Sequence, residues 1–67
     1  MGYRIKEVRE SIGMSQTKLA ERSGVSRGII WALESDPKAV TTTKTLQKIA
    51  SALGTTVDKI FFPNGVQ

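Results

Sequence analysis

Residues 16–35 read QTKLAERSGVSRGIIWALES, and this stretch carries the strongest structural signal of the chain. Ser15, just before it, is a good helix N-cap, because a serine hydroxyl accepts a hydrogen bond from a free N–H of the first turn. Gly24 ends the first helix, since glycine adopts the left-handed conformation without a steric penalty. Ser26 then repeats the cap signal. The pattern predicts two short helices that meet at a steep angle across a tight turn.

The second of these helices has two unlike faces. At about 100° per residue, Ile29, Ile30 and Leu33 fall on one side and are expected to pack into the core. The outer face holds Gly28, Trp31, Ala32 and Ser35, with Arg27 at its edge. An Arg and a Trp with little acid differ from the Lys/Glu surface of an ordinary solvated helix.

Apolar spacing and capping residues predict helices in the rest of the chain as well. The apolar positions are Ile5, Val8 and Ile12 in the first helix and Leu46, Ile49, Ala50 and Leu53 in the fourth. Thr42 and Thr56 are expected to cap the fourth and fifth helices. The five helices should lie at about residues 3–12, 16–23, 27–34, 43–53 and 57–61. We expect one all-α domain over residues 1–67.

Composition narrows the function classes. The 67 residues contain no Cys and no His, so thiolate sites are excluded and the commonest general base is missing. The six acidic residues form no spaced pair, and neither a phosphate-binding loop nor a metal-ligand spacing occurs. The sequence therefore predicts that the chain is not an enzyme and holds no cofactor, metal or small-molecule ligand.

The net charge of the chain indicates the kind of partner it binds, and its hydropathy indicates where in the cell it is located. The net charge of +4 and the sequence pI of about 9.9 favour polyanion binding, although such an excess also aids solubility. No apolar run approaches the roughly 20 residues of a membrane span, and the N-terminus lacks an apolar signal core. We expect a cytoplasmic protein without a membrane segment.

The two central helices resemble the helix-turn-helix of the Cro/repressor-type (XRE-like) DNA-binding proteins. The resemblance continues through residues 46–54 and 57–60, so it covers nearly the whole chain. The matching positions of the motif are Gln16, Leu19, Ala20, Gly24, Val25, Ser26, Ile30, Leu33 and Glu34. The resemblance implies a compact five-helix, lambda-repressor-like DNA-binding domain from a prokaryote or a phage, associated with the nucleoid when bound.

It also implies which residues contact double-stranded DNA. At the start of helix 2 and on the outer face of helix 3 these are Ser15, Gln16, Thr17, Ser26, Arg27, Gly28, Trp31 and Ala32. The loop that follows adds Lys38, Thr42 and Lys44 on the DNA backbone.

Two of these positions leave a choice open, and two others depart from the family. Arg27 is the expected base reader, since arginine pairs bidentately with guanine, and the alternative is a phosphate contact. Trp31 either packs beside helix 2 or lies against the sugar-phosphate backbone. Gly28 departs from the family in lacking a long polar side chain, as does Ala32, so DNA shape should supply more of the specificity.

Two further sets of residues follow from the resemblance. Arg9 and Glu34 match a pair that joins helices 1 and 3 in a structural salt bridge. Phe61, Phe62 and Pro63 are expected at a dimer interface, because relatives often dimerise through this end. The alternative is that both rings fold onto helix 1.

The resulting hypothesis is a sequence-specific DNA-binding transcriptional regulator, a dimeric repressor that reads a pseudo-palindromic operator with helix 3 in the major groove. The alternative is a protein-interaction module on the same fold, antitoxin-like or part of an operon controller, with weak intrinsic DNA specificity. A tight complex with another protein would favour the second reading.

Overall fold

Five short helices and a minimal strand pair make up the structure. The computed structural model describes residues 2–36 and 38–62. The helices are α1 (Ile5–Ser11), α2 (Gln16–Ser23), α3 (Arg27–Ser35), α4 (Thr43–Ala52) and α5 (Val57–Ile60). Strands β1 (Gly2–Tyr3) and β2 (Phe61–Phe62) pair antiparallel. The predicted all-α class, a compact five-helix domain, is confirmed, and the strand pair is an addition to it.

Hydroxyl caps begin three of the helices where the sequence predicts them. Lys18 N donates to Ser15 Oγ at 3.0 Å, and Ile29 N donates to Ser26 Oγ at 3.3 Å. The corresponding bond at α4 runs from a backbone N–H to Thr42 Oγ1. Each bond satisfies an N–H that has no partner within its own helix. These starts fix α2 and α3 on either side of the turn.

Helix α2 lies at the centre of the packing. It contacts α3 on one side and α4 on another, while α1 packs on α3 and α5 on α4. The buried hydrophobic residues are Ile5, Leu19, Val25, Ile30, Leu33, Leu46, Ile49, Ala50, Leu53 and Ile60. The whole predicted apolar stripe of α4 is among them. This core supports α3 from behind and leaves its other side open.

Both ends of the chain depart from the predicted helices. Tyr3 was expected in helix 1 and Phe61 in helix 5, but the two residues face each other in the strand pair. The Tyr3 hydroxyl donates to Ala39 O at 2.9 Å, and its ring stacks on Phe61 with centroids 5.4 Å apart. The prediction was wrong because this pairing joins residues from opposite ends of the sequence, which local propensity does not encode.

Two residues expected in the core are exposed. Ile12 is 51% exposed because α1 ends before it, and Ile29 is 44% exposed. Helix α3 turns Ile30 and the Glu34 carboxylate inward. Since Ile29 lies about 100° from Ile30 around the helix, this rotation moves it to the flank.

The predicted cap of α5 is also different in detail. Thr56 stands at the N-cap position but accepts no backbone hydrogen bond with its side chain. Its hydroxyl donates to the Asp58 carboxylate instead, and this bond lowers the pKa of that carboxyl.

Candidate nucleic-acid interface

A buried ion pair ties α1 to α3. Arg9 Nε donates to Glu34 Oε2 at 2.8 Å, and Arg9 Nη2 donates to Oε1 at 3.0 Å. The two side chains are 11% and 3% exposed. The hydrogen bond to Glu34 raises the pKa of Arg9, so the guanidinium is permanently charged. The structure thus brings together the pair that the family resemblance implied, in the bidentate geometry that orients both groups.

The same carboxylate holds Gln16 at the start of α2. Gln16 Nε2 donates to Glu34 Oε1 at 3.0 Å, a contact that sequence spacing does not reveal. An amide nitrogen carries two N–H groups, so one N–H of Gln16 is engaged and the other is available. Arg9 Nη1 also donates to Met14 O at 2.7 Å, which fixes the chain just before α2. The start of α2 and the inner side of α3 are therefore held in one network.

The outer face of α3 is open to solvent. Arg27, Gly28 and Ser35 are exposed, Ala32 is half-buried, and Trp31 is 60% exposed. Most of the indole is therefore free for a partner, and helix packing covers only the remainder. No acidic side chain lies on this face, because the single carboxylate of α3 is turned inward.

Arg27 leans across the turn toward α2. Its Nη1 lies 3.5 Å from Thr17 Oγ1, a long and weak hydrogen bond. The structure thereby brings two predicted contact residues to the same side of the turn. Ser15 and Ser26, the two capping residues, are exposed beside them. A capping hydroxyl accepts from its own helix and keeps its proton for a second partner.

Of the three contact residues predicted for the loop after α3, Lys38 lies in that loop, Thr42 is the cap of α4 and Lys44 lies within α4. Lys38, Thr42 and Lys44 are exposed, and no hydrogen bond links them to α2 or α3 within the described residues. The Lys38 backbone N–H donates to Asp36 Oδ1 at 2.9 Å, which shapes the loop. Thr42 is occupied as the cap of α4.

Two of the three predicted dimer residues, Phe61 and Phe62, form strand β2. Phe61 is half-buried and packs on Tyr3, so its ring is partly covered. The backbone of Phe62 pairs with Gly2, whereas its side chain and Pro63 lie outside the described residues. Val40, beside the Tyr3-bonded Ala39, is 73% exposed and was not singled out from the sequence.

Residues 2–36 and 38–62 contain no group of three or more His, Cys, Asp or Glu side chains that could hold a metal ion. None of the described helices is long and apolar enough to cross a membrane.

A sequence model of a helix-turn-helix family matches residues 5–60, which is most of the chain. The chain belongs to the Cro/repressor-type (XRE-like) helix-turn-helix family. The family's domain is a DNA-binding, non-enzymatic one, and the chain is in this general sense a DNA-binding regulator. No curated protein and no solved structure matched the chain.

Proposed function

We propose that the protein is a sequence-specific transcriptional repressor that inserts α3 into the major groove of DNA. The observation that carries the proposal is the outer face of α3, which is exposed and free of acid while its inner side is locked by the buried Arg9–Glu34 pair. A rigid helix with an unobstructed face suits direct contact with base edges.

The base-reading part of the interface is small. Arg27, at the first turn of α3, pairs with a guanine through its guanidinium. Gly28 lets the helix backbone approach the bases, since an added Cβ there meets nothing within 4 Å and the space is open for DNA. Ala32 contacts a thymine methyl, and Trp31 lies against the sugar-phosphate backbone. With so few polar readers, DNA deformability contributes to specificity.

The remaining contact residues position the protein on phosphates. Gln16 donates its second amide N–H to a phosphate while Glu34 holds the first, so the buried network orients a DNA contact. The other proposed phosphate contacts are Ser15, Thr17, Ser26, Lys38, Thr42 and Lys44.

A two-fold dimer places two such helices on one face of the duplex. Recognition helices about 34 Å apart meet successive major grooves, so the operator is pseudo-palindromic. The interface we propose is the end that carries Phe61, Phe62 and Pro63. The exposed Val40 supports it, since it extends the apolar surface next to Tyr3.

Selection of bound sites from a random duplex library at near-physiological salt tests the proposal. A two-fold motif with half-sites about one helical turn apart is the expected result. The motif is then placed over a reporter promoter, where the protein should lower transcription. Absence of any enriched motif, with helicity verified by circular dichroism, would reject sequence reading and favour a protein-interaction module.

A further inference from the structure

An open groove of about 620 Å³ runs between α2 and α4. It is lined by Arg22, Ser23, Lys44, Gln47, Lys48, Ser51 and Ala52. Three of these side chains are cations, three are neutral and polar, and none is acidic. Ligand clefts of this size usually have mostly apolar walls, so the lining fits a charged partner better than an apolar small molecule.

The three cations of the groove are not neutralised by the protein itself. The glutamates are engaged elsewhere: Glu7 with Arg4, Glu10 and Glu34 with Arg9, and Glu21 with Lys18. Asp36 and Asp58 accept local hydrogen bonds. Arg22, Lys44 and Lys48 therefore have no ion-pair partner among residues 2–36 and 38–62. An anion in the groove would relieve their mutual repulsion.

The groove lies on a different flank of α2 from the recognition helix. Thr17 is directed toward α3, where it approaches Arg27. Arg22 follows five residues later, which places it about 140° further around the helix axis. It lines the groove together with residues of α4, and none of the lining residues belongs to α3. Lys44 is the one lining residue that we also place on the DNA backbone, so Arg22 and Lys48 remain for another partner.

We propose that this groove binds an acidic peptide segment of a partner protein. Lys44 and Lys48 are one helical turn apart, a rise of about 6 Å, and Ser51 continues the same face. Alternate side chains of an extended peptide are about 6.8 Å apart, so successive carboxylates match the two lysines. Arg22 holds the segment from the opposite wall, and Gln47 and Ser51 hydrogen-bond its backbone. This function is separate from base reading by α3, and the two proposed ligands share only Lys44.

The probe is a ten-residue peptide of alternating Glu and Ser, with Gln in place of Glu as the neutral control. Binding is followed by fluorescence anisotropy of a labelled peptide and by backbone amide NMR shifts of the protein. Shifts should concentrate at Ser23, Lys48 and Ser51, with α3 unaffected. The double variant Arg22→Gln/Lys48→Gln should bind the acidic peptide roughly 2- to 30-fold more weakly, as expected for the loss of two exposed ion pairs.

The matched control is Lys6→Gln/Lys59→Gln, which removes the same charge at two other exposed positions. An equal loss of peptide affinity in both double variants would show that net charge alone causes the effect, and it would overturn the proposal. Two outcomes would identify the groove as a DNA-backbone surface and also overturn the proposal. One is displacement of the peptide by the selected duplex. The other is a loss of DNA affinity in Arg22→Gln/Lys48→Gln as large as in Lys38→Ala. Peptide binding is measured first on the DNA-free protein. A failure of the proposed DNA recognition can therefore be distinguished from a failure of peptide binding.

Discussion

At the scale of single residues, the Glu34 carboxylate is held by three hydrogen bonds. It accepts from Arg9 twice and from Gln16 once, and its side chain is almost wholly buried. Removing one partner leaves a buried charge uncompensated, which costs more than the pair contributes as a whole. The sequence predicted the Arg9–Glu34 pair through its family resemblance. It did not predict the contact of Gln16, because that depends on how α2 is placed against α3.

Arg9→Met should lower the free energy of unfolding by about 3–5 kcal/mol, since it strands Glu34 in the core. Urea denaturation followed by circular dichroism measures the change. The double variant Arg9→Met/Glu34→Leu is the control and should recover part of the loss, because no buried charge remains. A loss below about 1 kcal/mol in the single variant would show that water reaches the carboxylate and replaces the arginine.

The phenol of Tyr3 makes the stability of the protein depend on pH in the alkaline range. Burial raises the pKa of its phenol above the ordinary value of 10.0. The neutral phenol is thus favoured in the folded state, so its contribution to stability is complete below pH 10.0 and is lost as the pH rises through the raised pKa. Between these pH values the wild type should lose more stability than Tyr3→Phe.

The measurement is direct because Tyr3 is the sole tyrosine, and phenolate absorbance reports its titration alone. Tyr3→Phe also removes the hydrogen bond to Ala39 and should cost about 0.5–1.5 kcal/mol at neutral pH. A titration midpoint at or below 10.0 would contradict the burial of the phenol against Phe61.

At the scale of elements, the sequence is informative where the interactions are local. Ser15, Ser26 and Thr42 cap the helices that follow them, because a cap and its N–H donor are three residues apart. The exposure of Ile29 was not predictable in the same way. It depends on the rotation of α3 about its axis, which is set by the ion pair between Glu34 and Arg9 of another helix, α1.

Two glycines give opposite expectations on substitution by alanine. Gly28→Ala should raise the free energy of unfolding by up to about 1 kcal/mol, because Gly28 lies inside α3 and its added Cβ meets no atom. The methyl group would nevertheless stand between the helix backbone and DNA, so affinity for the selected site should fall.

Gly24→Ala is the matched control for the backbone. The space around Gly24 is equally open, but its φ of 73° is left-handed, so alanine should destabilise the protein by about 1–2 kcal/mol. Thermal unfolding and DNA titration of both variants check the pair of expectations. Unchanged DNA affinity in Gly28→Ala would mean that the backbone does not approach the bases there.

At the scale of the whole molecule, the features that the sequence missed are those that several elements create together. The strand pair joins the two ends of the described chain. The basic groove exists only because Arg22 of α2 and Lys48 of α4 line the same space. The Lys44, Lys48 and Ser51 spacing is visible in the sequence as one acid-free helix face. The opposite wall of the groove is not visible there, since it comes from a different helix.

The proposed dimer is tested by a charge in its apolar surface. Val40→Glu should shift a dimer to a monomer in sedimentation equilibrium, because it buries an unpaired carboxylate at the interface. Ile12→Glu is the control, since Ile12 is also an exposed apolar residue but lies at the far end of α1 from Tyr3. An unchanged mass for Val40→Glu would remove this surface from the interface.

Base reading by α3 is tested by the dissociation constants of wild type and Arg27→Ala on two duplexes. One duplex carries the selected site and the other a random sequence, at the same salt concentration. The loss of one bidentate guanine contact predicts roughly 5- to 150-fold weaker binding to the selected site, with much less change on random DNA. Equal losses on both duplexes would contradict base reading by Arg27 and leave it as a phosphate contact.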